Sequence, residues 1–160
     1  MKKIRVKMAD LNIGEVDDVL ITSGLGSCVG IALYDSRTKI GGLAHIMLPE
    51  VPTNRKSKNP AKYADTSIEL LLKKLRQKGA NFRRLVAKIA GGAHMFKFDN
   101  SNPQMQIGAR NIEAVKKILK EKNIRLLAED VGKNYGRTME FYLENGEVLI
   151  KTVKGEDRVL

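Results

Sequence analysis

The sequence predicts an α/β chain of the α+β kind: a single-domain layered sandwich of mainly antiparallel or mixed β-sheet with two amphipathic helices packed on it. Three observations predict this. Short apolar, β-type runs recur between clusters of Gly, Asn, Asp and Ser, and two longer stretches carry apolar residues at helical spacing. The length of 160 residues favours one domain spanning 1–160 whose core needs no staples.

Val19 to Thr22 is a short β-type run that ends at the loop Ser23-Gly24-Leu25-Gly26-Ser27. Val29 to Tyr34 and Ile40 to Ile46 are apolar runs joined by the polar turn Asp35-Ser36-Arg37-Thr38-Lys39, and together they read as a β-hairpin. With Tyr34 and Ile40 as flanking partners, Val29 falls across from His45 and Cys28 across from Ile46. A slip of one residue sets Cys28 opposite His45, so either register leaves the two as neighbours. Glu50 to Ala64, with Pro52 and Pro60, reads as a loop that follows the histidine strand and borders its end.

Ile68, Leu71, Leu72 and Leu75 fall on one face of a helix, with Thr66 and Glu69 spaced as a capping box and Gly79 as its stop. Arg84 to Ala90 reads as a strand and Gly91-Gly92-Ala93-His94 as the turn beyond it. Phe96 and Phe98 alternate with Lys97 in a half-buried pattern, and Asn100-Ser101-Asn102-Pro103 is a loop. After Gly108, Ile112, Val115, Ile118 and Leu119 line a second amphipathic helix with Lys116, Lys117 and Lys120 opposite. Arg125 to Asp130, Thr138 to Leu143 and Val148 to Val153 read as strands, the last two joined by the hairpin signal Asn145-Gly146. Six to eight strands are expected in all.

The formal net charge is +11, which biases the surface toward acidic partners. Nucleic acid is not the expected partner: basic residues are scattered, tryptophan is absent, and aromatics do not interleave with the basic positions as a base-stacking platform requires. Charge at Lys7 and Asp10 interrupts the N-terminal stretch before any long apolar run, so neither a signal peptide nor membrane insertion is expected. One cysteine excludes an internal disulfide and fits the reducing cytoplasm. The acidic pairs Asp17-Asp18 and Glu129-Asp130 lack the His and Cys company of a metal site, and no metal or other cofactor is expected. Gly24-x-Gly26-x-x-x-Gly30 has the wrong spacing for a dinucleotide fingerprint and leads into a strand.

The chemistry centres on Cys28, the only cysteine, and His45, one of only two histidines. A cysteine nucleophile acts as thiolate and needs a base for its proton, and a cysteine–histidine pair is the commonest arrangement. Gly24 and Gly26, free to take positive φ, let backbone N–H groups around Ser27 and Cys28 converge as an oxyanion site. The competing reading makes Cys28 a small buried core residue, and thiol reactivity separates the two.

Thr22, Leu25-Gly26-Ser27-Cys28-Val29, His45-Ile46-Met47-Leu48-Pro49, Lys62-Tyr63-Ala64-Asp65, Lys88-Ile89-Ala90-Gly91-Gly92-Ala93 and Ile107-Gly108-Ala109-Arg110-Asn111 occur in an order that resembles the CheD family of receptor glutamine deamidases, over roughly residues 14 to 153. One block departs: Gly132-Lys133-Asn134-Tyr135-Gly136-Arg137 has lysine where the family tends to have a second glycine. The resemblance implies a cysteine hydrolase that converts glutamine side chains on methyl-accepting chemotaxis receptors to glutamate, with methyl esters at similar sites as further substrates. It assigns catalysis to Cys28, His45 and Thr22, with Gly26 and Ser27 in the oxyanion and substrate loop, and makes His94 a loop residue near the pocket. It further implies the phosphatase CheC as a partner, and a fold similar to the catalytic domain of the cytotoxic necrotising factors. The alternatives are a non-enzymatic adaptor that binds CheC or receptors, and a basic nucleic-acid-binding domain whose retention falls steeply with salt.

Overall fold

The computed structural model describes residues 1–53, 59–95, 106–153 and 155–160. Ten strands form two sheets of five: β1 (Lys2–Arg5), β2 (Asp10–Gly14), β3 (Asp18–Leu25), β4 (Val29–Asp35), β5 (Ile40–Ile46), β6 (Val86–Gly91), β7 (Arg125–Val131), β8 (Arg137–Tyr142), β9 (Val148–Lys151) and β10 (Arg158–Val159). One sheet runs β1-β3-β8-β9-β10 and the other β2-β5-β4-β6-β7. Pairing is antiparallel except for β1 with β3 and β6 with β7. Two helices, α1 (Ala64–Lys78) and α2 (Ile107–Glu121), cover the outer face of the second sheet. The expected layered α+β sandwich is therefore present, with three layers.

The central strands β4 and β5 read as continuous apolar runs because both of their faces are buried. Strand alternation divides their side chains. Val29, Ile31 and Leu33 join Ala44 and Ile46 beneath α1 and α2, where Ile68, Leu71, Leu75, Val115 and Leu119 complete one core. Cys28, Ala32, Tyr34 and Leu43 face the other way and pack with Leu20, Leu25, Met139, Phe141 and Ile150 of the opposing sheet. Tyr34 meets Phe141 edge-to-face with centroids 5.8 Å apart.

The β4–β5 hairpin forms in a register different from both considered above. Asp35 pairs with Ile40, so Gly30 lies opposite His45 and Val29 opposite Ile46. The cause is the turn: Lys39 takes a left-handed φ of +58° and donates its N–H to the Asp35 carbonyl, closing a four-residue loop. Asp35 is fully buried and braces the same corner. Burial raises its carboxyl pKa, but two hydrogen bonds of 2.9 Å from Arg84 and further N–H donors from Asn81 and Arg37 outweigh this and hold it well below the usual carboxylate range.

Three further expectations need correction. Thr66 and Glu69 form no capping box: α1 starts at Ala64, the Thr66 hydroxyl donates to the Pro60 carbonyl, and Pro60–Lys62 is a short 3-10 turn. Gly79 does end the helix, in the left-handed region. Phe82–Arg84 forms a second 3-10 turn, so β6 begins at Val86. The described residues form ten strands where six to eight were expected, because β1, β2 and β10 are short and polar or charged. Phe96 to Phe98, the Asn100 to Pro103 loop and part of the Glu50 to Ala64 loop lie outside the described residues. Among the described residues, no helix is long and apolar enough to cross a membrane.

Candidate active site

Thr22, in β3 on the opposing sheet, is buried and projects across the interlayer to His45 of β5. Its Oγ1 lies 2.7 Å from the Val6 carbonyl and 2.7 Å from His45 Nδ1. A hydroxyl carries one proton, and a carbonyl can only accept. That proton therefore goes to Val6, and Nδ1 must bear a hydrogen to donate back to Oγ1. The network assigns the Nδ1–H tautomer and leaves Nε2 with a free lone pair. Nε2 is buried and has no hydrogen-bond partner among the described residues.

The observed register places Cys28 on the same side of its sheet as Gly30, hence diagonally across from His45 on one face. Diagonal positions in an antiparallel pair stand roughly 7–8 Å apart, within reach of two side chains that lean together. Of the two registers considered from the sequence, Val29 opposite His45 would have sent the thiol to the other face, whereas Cys28 opposite His45 would have kept the pair on one face. His45 is 0% exposed and Cys28 7%, so both members of the pair are buried, Cys28 slightly less so.

Burial lowers the His45 pKa to about 4, against the opposing pull of the Asp10 carboxylate, which sits directly across the β2–β5 ladder. Burial raises the Cys28 thiol, and its own backbone N–H partly offsets that. The resting pair is therefore a neutral thiol beside a neutral imidazole. The depressed histidine has a consequence for stability. It titrates near 6.5 when unfolded and about 4 when folded, so its share of stability is complete above the unfolded value and is lost as pH falls between the two. Urea unfolding from neutral pH down to about 4 should show a loss of about 3 kcal/mol in wild type that is absent from His45→Gln.

The loop before Cys28 is held from behind. Gly24 takes φ +73° as expected, but Gly26 does not adopt positive φ; it instead gives room to the Met95 side chain. The turn after β6 lies against this loop: Ala93 N–H donates to the Gly26 carbonyl and Gly92 N–H to the Cys28 carbonyl, each at 2.8 Å. Gly91 has φ +109°, and a Cβ there would overlap the Cys28 carbonyl oxygen. Asn111 of α2, 0% exposed, donates through Nδ2 to the carbonyls of Ser27 at 2.9 Å and Met47 at 3.0 Å. His94 follows on the same turn and donates its backbone N–H to the Lys133 carbonyl, without reaching Thr22 as His45 does. Among the described residues, no group of three or more His, Cys, Asp or Glu is placed to hold a metal.

A family model described as CheD chemotactic sensory transduction matches residues 47–152. A protein of Clostridium acetobutylicum named probable chemoreceptor glutamine deamidase CheD is 54% identical over 153 residues, covering 96% of this chain and 92% of its own length. The chain belongs to the CheD family. A protein of Clostridium tetani with the same name is 52% identical over 153 residues, covering 96% of this chain and 93% of its own. The relatives' alignments thus take in the Thr22 to His45 stretch, which precedes the part matched by the CheD model. Among solved structures, the Bacillus licheniformis hypothetical protein YfiH overlays with a TM-score of 0.43 at 16% identity, covering 70% of this chain and 46% of that one; the likeness is too loose to carry over any residue.

Against the usual CheD pattern, Lys133 stands where a second glycine was expected, and it holds φ +62° beside Gly132 at +79°. The glycine-like backbone is kept at a strain of roughly 1–2 kcal/mol. Gly132 N–H still reaches the Gly91 carbonyl, and the buried Arg137 guanidinium, paired with Asp130 at 2.9 Å, donates to the Gly132 carbonyl. The site residues that sequence reasoning missed are Asp10, the Val6 carbonyl, Asn111 and the N–H groups of Gly92 and Ala93. Two of the CheD-like blocks contained the last three without pointing to any chemistry for them.

Proposed function

We propose that the chain hydrolyses glutamine side-chain amides on chemoreceptors, giving glutamate and ammonia, with Cys28 as nucleophile, His45 as general base and acid, and Thr22 as the residue that fixes the imidazole. The observation that carries this reading is the Thr22 bridge, which protonates His45 at Nδ1 and leaves Nε2 as a base on the face that bears Cys28. The names of the relatives supply the substrate: each is named a probable chemoreceptor glutamine deamidase.

In the first half-reaction Sγ attacks the carboxamide carbon as its proton passes to Nε2. Because the base is weak and the thiol is raised, proton transfer and C–S bond formation proceed together, and no thiolate accumulates beforehand. The oxyanion is taken up by the N–H groups of Ser27 and Cys28. The C–N bond then breaks, Nε2–H protonates the nitrogen, and ammonia leaves a thioester. Water adds to the thioester with its proton going to Nε2, the C–S bond breaks, and the proton returns to sulfur, freeing glutamate.

A net charge of +11 steers the enzyme to helical, glutamate-rich receptor segments, and both act in the cytoplasm. The phosphatase CheC is the second partner in this proposal. The test is incubation with a purified receptor cytoplasmic fragment, reading ammonia and the one-dalton gain of the deamidated peptide. Both are expected. Binding of receptor or CheC without either product, across several receptors, would establish the adaptor reading instead.

Thr22→Val removes the hydroxyl that orients His45 and leaves the Val6 carbonyl and Nδ1–H unpaired. Deamidation is expected to slow on the order of a hundredfold, with most of the rate restored in Thr22→Ser. Chemical denaturation should register a loss of about 1–3 kcal/mol in the valine variant.

A further inference from the structure

Three successive carbonyls of the nucleophile loop are each held by a donor behind it: Gly26 by Ala93 N–H, Ser27 by Asn111 Nδ2 and Cys28 by Gly92 N–H. Two of the donors are main chain. The middle one is a side chain, and it alone also grips the carbonyl of Met47, two residues beyond His45. We infer that Asn111 is a positioning residue for the proposed reaction, one that aims the Cys28 N–H into the oxyanion site and fixes the nucleophile loop against the end of the histidine strand.

The geometry follows from the peptide unit. In a trans peptide the C=O and N–H of one plane point in opposite directions. The Ser27 carbonyl and the Cys28 N–H belong to the same plane, so tying the carbonyl back to Asn111 turns the N–H outward on the other side. The preceding plane is set the same way: the Gly26 carbonyl on Ala93 directs the Ser27 N–H. Two adjacent donors are thus preset before substrate arrives, as stabilisation of a developing oxyanion requires. The amide group of Asn111 adds a second constraint, because its two N–H bonds diverge at a fixed angle within one plane. With one on Ser27 and the other on Met47, it spaces the segments that carry Cys28 and His45.

Asn111 is also costly where it sits. It is 0% exposed at the centre of the buried face of α2, between Gly108 and Val115, where the helical stripe calls for an apolar residue. Its Oδ1 is buried with no hydrogen-bond partner among the described residues. An unpaired buried acceptor destabilises by roughly 1–3 kcal/mol. A residue kept there for stability alone would avoid that cost; one kept for its two donors would bear it.

This inference rests on the proposed deamidation, and the test separates the two. Asn111→Leu, close in size and without donors, and Asn111→Ala are compared with wild type at a temperature well below their melting points. The readouts are kcat and KM on the receptor fragment, and the pH midpoint for alkylation of Cys28 by iodoacetamide, which needs no receptor. The expected result is a fall in kcat on the order of ten- to a hundredfold with KM within about twofold, and an alkylation midpoint moved to higher pH as the Cys28 N–H swings away from the sulfur. Folded variants with lower melting points but wild-type kcat and alkylation midpoint would make Asn111 merely structural and overturn the inference. Should neither variant fold, proton exchange of the Asn111 side-chain amide in wild type decides: strong protection is expected, and exchange as fast as a free amide overturns it. Absence of deamidation by wild type itself refutes the proposed function, while the alkylation midpoints still decide the role of Asn111.

Discussion

Cys28→Ala is expected to lose receptor deamidation by about four orders of magnitude or more while keeping the wild-type fold. The alanine methyl occupies most of the space of the thiol, which belongs to the apolar cluster packed between the two sheets, so the structural cost is only about 1 kcal/mol. Cys28→Ser is expected to be nearly as inactive. A histidine lowered to about 4 is too weak a base to activate a hydroxyl, whereas a thiol gives up its proton more readily and bonds to carbon as it does so. Ammonia release from a receptor fragment measures both variants. Retention of more than about a tenth of the rate in Cys28→Ala would return Cys28 to the role of a core residue.

His45→Gln is expected to slow deamidation on the order of a thousandfold, between the general-base contribution alone and the complete loss of the nucleophile. Glutamine can accept a hydrogen bond but cannot carry a proton from sulfur to nitrogen and back, so both half-reactions suffer. Alkylation of Cys28 should change far less than turnover, because the thiol rests uncharged with or without His45. A variant with unimpaired turnover would transfer the base role elsewhere. His94, the other histidine, is the residue to substitute next.

Much of this architecture was legible in the residues. Strands β4 and β5 announced themselves as apolar runs around a polar turn, and the leucine stripe of α1 with its stop at Gly79 gave the helix correctly at its end. The proximity of Cys28 and His45 followed from that hairpin, but the register did not. It turns on Lys39 in a left-handed conformation, where glycine or asparagine would have been the readable signal. Strands β1 and β10 escaped because edge strands carry charge, as Lys2-Lys3-Ile4-Arg5 does, and because β10 is only two residues long. Thr22 was placed in the site by family resemblance alone; its contact with His45 crosses from one sheet to the other, which no local pattern encodes. Asn111 was invisible for a related reason. The apolar stripe of α2 predicted an inward face centred on Ile112 and Val115, and a polar residue within it reads as a break in the stripe until its two carbonyl partners are seen.

The proposed catalysis depends on the resting state of one imidazole, and nitrogen-15 NMR of His45 across pH reads it directly. The expected spectrum has a protonated Nδ1 and a bare Nε2 at neutral pH, with imidazolium forming only near pH 4. A proton on Nε2 instead, or an ordinary midpoint near 6.5, would contradict this mechanism, since the nitrogen available to Cys28 would then be no base or the pair would not rest neutral.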